Sequence, residues 1–171
     1  FKQVNSDTSI FVWIDRTHFE KVLVNILSNA FKFTQDGGKI ELSNVRKDNE
    51  LEISIFNTGQ HIKEGDMEHI YERFFQTSHA NNIAGSGIGL NLSYELMQLH
   101  HGSLEACNVE PEGVKFILHL PLGRAHLTEE ELLPNPQKVE QADNVEENNH
   151  RTEMLIATID NLAHTVEGET E

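Results

Sequence analysis

Several residue types that usually announce a function are scarce in this chain. Its 171 residues include one cysteine, Cys107, which excludes an internal disulfide and any cysteine-based metal cluster. That thiol is expected to be a buried core group in a reducing compartment. Basic side chains are few, 13 Lys and Arg against 28 Asp and Glu. Direct nucleic-acid binding needs clustered cations, and none cluster here. No apolar run approaches the roughly 20 residues that span a bilayer, and Phe1 opens no basic-then-apolar leader of the secretory kind. A start at Phe1 rather than Met is what a piece excised from a longer chain would show.

What is present is unevenly spread. Hydrophobic residues make up 37% of the chain and are concentrated before Pro121, enough for one core. The formal net charge is -15, yet residues 1–123 carry 16 acidic and 10 basic side chains, whereas 124–171 carry 12 and 3. More than half of the excess therefore lies on the last third. The expected organisation is one domain over 1–123 and an acidic, partly helical linker or tail over 124–171 that leads toward a further domain.

Periodicity supplies the elements. Ile10–Ile14 reads as a first strand, with Asp15 as the N-cap of a helix running to about Thr34. Phe19, Val22, Leu23, Ile26, Leu27, Ala30 and Phe33 recur on one face of that helix. At about 100° per residue, Asn25, Asn29 and Lys32 form a second stripe at the edge of the apolar one. Lys39–Val45 and Leu51–Phe56 alternate as a hairpin, a helical turn is expected around Met67–Phe74, and Gln76–Ile83 reads as a loop. Gly87–His100 follows as a helix stopped by Gly102, then strands at Leu104–Val109 and Val114–Leu120. Beyond Pro121, Thr128–Glu131 suggests a short capped helix, Gln137–Asn149 a linker, and Arg151–Val166 one more helical stripe. Five strands and two main helices make an α+β layer.

Four short signals carry chemistry. Asn25 and Asn29 lie four apart, so both amides share one helix face and Lys32 extends it. Amide oxygens suit Mg²⁺, which takes one or two protein oxygens beside phosphate ligands. Asn57-Thr58-Gly59 follows a strand at a cleft edge, and Phe74-Phe75 precedes a loop. Gly85-Ser86-Gly87-Ile88-Gly89-Leu90 offers bare amides at a helix start, where a phosphate can rest. Taken singly each has a plainer reading: solvent-facing asparagines, a common turn, core aromatics, a flexible helix entry. The glycine turn matches neither the P-loop nor the dinucleotide fingerprint.

In this order the four signals resemble the N, G1, F and G2 boxes of the sensor histidine kinase ATP-binding domain. Phe31-Lys32-Phe33-Thr34, His101-Gly102 and the closing Phe116–Pro121 extend the resemblance over about residues 10–121. It implies a Bergerat-type two-layer α/β sandwich, with a mixed, mostly antiparallel sheet and helices on one face. It also implies ATP and Mg²⁺, with the γ-phosphoryl transferred to a histidine. Asn29 is then the Mg²⁺ ligand and Asn25 its catalytic neighbour at the phosphates. Lys32 contacts phosphate, Phe33 lies beside the nucleotide, and Asn57 meets the adenine amino group. Gly59 and Ile62 line the base pocket, Phe74 and Phe75 shape the covering loop, and Gly85, Ser86, Gly87, Ile88, Gly89 and Leu90 hold the phosphates. The implied partners are a histidine-bearing dimerisation domain and a response-regulator receiver domain. The implied parent is a hybrid, membrane-anchored homodimer of the bacterial inner membrane, with this piece in the cytoplasm.

Departures from the family pattern leave an alternative. Asn57 stands for the usual aspartate, His61 for a glycine, Gln76 for an arginine and Lys115 for a threonine. A degenerate docking module that holds ATP without transferring phosphate is the second reading. A hydrolysing member of the same superfamily, a chaperone or mismatch-repair ATPase, would carry a glutamate where Asn25 stands. None of the ten histidines has the flanking pattern of a phosphoacceptor.

Overall fold

The computed structural model describes residues 2–4, 10–77 and 86–132. The chain divides into two units, Phe1–Gly123 and Arg124–Glu171. In the first, the described residues form five strands and three helices in the order β1 (Lys2–Val4), α1 (Arg16–Phe33), β2 (Ile40–Lys47), β3 (Glu50–Asn57), α2 (Glu64–Met67), α3 (Gly89–Leu99), β4 (Ser103–Asn108) and β5 (Val114–Pro121). The strands form one sheet ordered β1-β2-β3-β5-β4, antiparallel except where β1 joins β2. This is the α+β layer that the pattern predicts, with the mixed, mostly antiparallel sheet that the resemblance implies.

Alternation explains the sheet's inner face. Leu51, Ile53, Ile55 and Asn57 of β3 lie opposite Leu120, Leu118, Phe116 and Val114 of β5, and all but Ile53 are buried. Against them pack Val22, Ile26, Leu27 and Ala30 of α1, with Leu96 and Met97 of α3. Fully burying each of these larger side chains is worth about 1.5–3 kcal/mol. Asn57 thus ends a core row as its polar member. Asp15 caps α1 as expected, its carboxylate accepting from the His18 amide at 2.9 Å.

Several expectations change. Ile10–Ile14 is not a strand: only Val12 bridges to Leu122 and Gly123, while Phe11 and Trp13 are exposed. The Asp15 amide then donates to His100 Nε2 at 3.0 Å, which turns the chain onto the helices instead of along the sheet. The second main helix starts at Gly89, because Gly87 has φ +67° and a right-handed helix cannot include it. The turn expected at Met67–Phe74 is instead the short α2 followed by turns. Cys107 is exposed. It shares the outward register of Glu105 on the edge strand β4, while Leu104 takes the core.

In the second unit the Thr128–Glu131 segment is a turn, not a helix. The Glu131 carboxylate accepts from both the amide and the hydroxyl of Thr128, at 2.8 and 3.0 Å, so capping-type bonds form with no helix behind them. The linker expected at Gln137–Asn149 and the helix at Arg151–Val166 lie outside the described residues.

Candidate functional site

A cavity of about 460 Å³ opens between the end of α1, the ends of β3 and β5, and the start of α3. The helices give it Ser28, Asn29, Lys32, Phe33, Gly89 and Leu90; the sheet gives Asn57, Val114 and Phe116. The segment after β3 adds Gln60, His61, Ile62 and Lys63, and Phe75 and Ser86-Gly87 complete the named lining.

The side chains of the helical wall are uncommitted. Asn29 makes no side-chain hydrogen bond among the described residues, so its amide oxygen is available to a ligand. Lys32, one turn on, has no carboxylate partner among them and rests over the Phe33 ring at 5.1 Å. Desolvation holds its pKa below the ordinary lysine value, so an anion placed beside it would be welcomed. The start of α3 has Ile88 at the N-cap and no side-chain cap. Its first-turn amides therefore keep their affinity for negative charge. Among the described residues the lining includes Lys32 and Lys63 but no Asp or Glu, in a chain of net charge -15.

Asn57 is 3% exposed. Its amide nitrogen donates to the Thr58 carbonyl at 3.2 Å, which orients the side chain and leaves the oxygen as an acceptor without a described partner. An exocyclic amino group is the natural complement. Around it Ile62, Ile70, Val114 and Phe116 supply flat apolar walls.

Other expected residues lie elsewhere. Asn25 does not line the cavity: its amide donates to the Gly89 carbonyl at 3.2 Å and to Ser93 Oγ at 3.3 Å, tying α1 to the first turn of α3. Gly59 is also outside the lining, and a Cβ there would sit 2.6 Å from the Phe33 carbonyl oxygen. Its glycine serves the approach of the α1 end, not of a base. Gly87 does line the cavity, and a Cβ on it would meet the Phe74 and Phe75 backbone at 2.7 Å. Phe74, with φ +66° and 71% exposed, and Ile88, 42% exposed, are not among the lining residues. Gly85 lies outside the described residues. Sequence reasoning missed Ser28, Lys63 and Ile70; the alternation of the closing strand could have nominated Val114 and Phe116.

Residues 14–124 match the family described as histidine kinase-, DNA gyrase B-, and HSP90-like ATPases, and the chain belongs to it. Over 129 residues it is 35% identical to histidine kinase P4 of Formosa agariphila, covering 72% of this chain and 9% of that one. Sensor histidine kinase YclK of Bacillus subtilis is 37% identical over 122 residues, 70% of this chain and 26% of its own. The chain thus spans a quarter or less of the length of P4 and about a quarter of YclK. Among solved structures, a nucleotide-free catalytic domain of histidine kinase ThkA aligns with a TM-score of 0.63 at 29% identity, over 71% of this chain and 78% of that one. ThkA has also been solved in complex with the response regulator protein TrrA. The domain is therefore the catalytic ATP-binding domain of the sensor histidine kinase class. No observation favours the degenerate docking alternative.

Proposed function

We propose that the cavity holds ATP with Mg²⁺ and presents the γ-phosphoryl group to a histidine on a separate dimerisation domain. The observation that carries this is the cavity's polarity: among the described residues, an uncommitted amide, a lysine without a carboxylate partner and uncapped helix amides line a space without carboxylates, inside an acidic chain. Asn57 and the apolar walls around Ile62 accept the base. Lys32 and the first-turn amides of α3 take the phosphates, with Ser86 and Gly87 beside them. Asn29 is the oxygen donor that would hold a magnesium ion, which would supply neutralisation of the phosphate charge. Asn25 acts through Gly89, setting where the α3 amides lie.

Phosphoryl transfer asks little covalent chemistry of a protein beyond orientation and charge stabilisation. Lys32 supplies a poorly solvated positive charge, and the apolar walls exclude water from one side of the nucleotide. ThkA, seen with TrrA, supports a response regulator as the next partner of the parent protein. A membrane anchor and a homodimeric parent belong to the same proposal; among the described residues no helix is long and apolar enough to cross a bilayer.

Calorimetry with a non-hydrolysable ATP analogue and Mg²⁺ tests the first step. Saturable binding weakened by Asn29→Ala is expected, and no binding at about 1 mM, the weak end of ordinary substrate affinities, overturns it. Label from γ-³²P ATP appearing on a histidine-bearing acceptor domain supplied in trans tests the second.

A further inference from the structure

The segment after β3 presents His61 and Ile62 to the cavity. Its position is fixed from outside, by the last residue of β4 and the residue after it. The Ile62 amide donates to Asn108 Oδ1 at 2.9 Å, and Asn108 Nδ2 donates back to the Ile62 carbonyl at 2.8 Å. One side chain, 46 residues away in sequence, thus holds both backbone groups of a single residue. Next to it, the His61 ring nitrogen Nε2 bonds the Val109 carbonyl at 3.1 Å. His61 and Ile62 both line the cavity; Asn108 does not.

We infer that Asn108 is a positioning residue for nucleotide binding: it touches no ligand, but its two-point grip on Ile62 sets the base-side wall. The inference rests on the nucleotide reading above and assigns it a residue outside the lining. A primary amide is the side chain that offers one donor and one acceptor at the spacing of a residue's own N–H and C=O. Aspartate, of the same shape, would set a second acceptor against the Ile62 carbonyl. Asn108 is exposed, so replacing it removes two hydrogen bonds without opening the core.

The test uses the whole 171-residue chain with ADP and Mg²⁺. Asn108→Ala is expected to raise the ADP dissociation constant roughly three- to tenfold, the equivalent of one net hydrogen bond. Exchange of the Ile62 amide proton should accelerate in the ligand-free protein, while the unliganded melting transition stays cooperative. Asn108→Asp should bind as weakly as Asn108→Ala, and Glu112→Ala, on the same connection, should bind as wild type does. Unchanged ADP affinity in Asn108→Ala, or wild-type affinity in Asn108→Asp, overturns the inference alone. Wild-type protein that binds no ADP overturns it together with the nucleotide reading. If Asn108→Ala does not fold, Asn108 has a structural role and the inference falls.

Discussion

The two walls of the cavity are built by different physics. The helical wall, Asn29 and Lys32 on α1 opposite the first turn of α3, is placed by buried apolar surface: Val22, Ile26, Leu27 and Ala30 fix how α1 rolls, and the polar stripe follows. The loop wall, Asn57 to Lys63, is placed by hydrogen bonds that start far away in sequence, from Asn108 to Ile62 and from His61 to Val109, with Thr58 bonded to Lys39. A wall held by packing can leave its functional side chains free. A wall held by polar contacts commits several of them to holding itself.

The largest break in that contrast should come where the walls meet. Gly87→Ala puts a methyl 2.7 Å from the Phe74 and Phe75 backbone at φ +67°, a conformation that alone costs an L-residue about 1–2 kcal/mol. Nucleotide binding is expected to fall more than tenfold together with the melting temperature, read by calorimetry on one sample. Next come the free side chains of the helical wall. Lys32→Met should weaken ATP binding by about tenfold to a hundredfold, as loss of a charge-assisted bond does, with stability unchanged or slightly raised because a desolvated charge has gone. A parallel loss of stability would show that Lys32 is structural.

Asn25→Ala separates the two asparagines. Two bonds to the start of α3 disappear, so urea denaturation should show a loss of about 1–2 kcal/mol, whereas Asn29→Ala should leave stability alone and lower magnesium-dependent affinity. Equal stability losses in both would erase the distinction. The smallest effect lies at the far end of α1. Asp15 has its pKa lowered by the His18 amide, so its capping contribution is full above the unfolded carboxylate value near 4 and fades as pH falls through the lower folded value. Asp15→Ala should cost about 1 kcal/mol at pH 7, and the gap to wild type should close in acid. A gap that persists at pH 2 would point to a role other than the cap.

The same division explains what the sequence could reveal. The buried face of α1, the hairpin and the closing strand were legible because apolar spacing reports packing directly, and with α1 came Asn29 and Lys32. Asn57 was legible as the residue just past an alternating strand, and the structure extends that strand to include it. The grip of Asn108 on Ile62 was not, since nothing local in Ser103–Asn108 shows which backbone its amide will meet. Asn25 was placed on the correct face, but its bonds to Gly89 and Ser93 depend on how two helices cross. Cys107 was misjudged by its residue type, although the alternation of β4 already turned it outward with Glu105.

A cavity lined by no carboxylate among the described residues bears on how fast a nucleotide arrives. A triphosphate approaching residues 1–123, which carry 16 acidic against 10 basic side chains, is repelled until it comes within reach of Lys32. Added salt shortens the range of that repulsion, to about 8 Å at physiological ionic strength, more than it weakens the sheltered contacts inside. Capture should therefore quicken with moderate ionic strength, the reverse of a protein that draws its anionic ligand in from a distance.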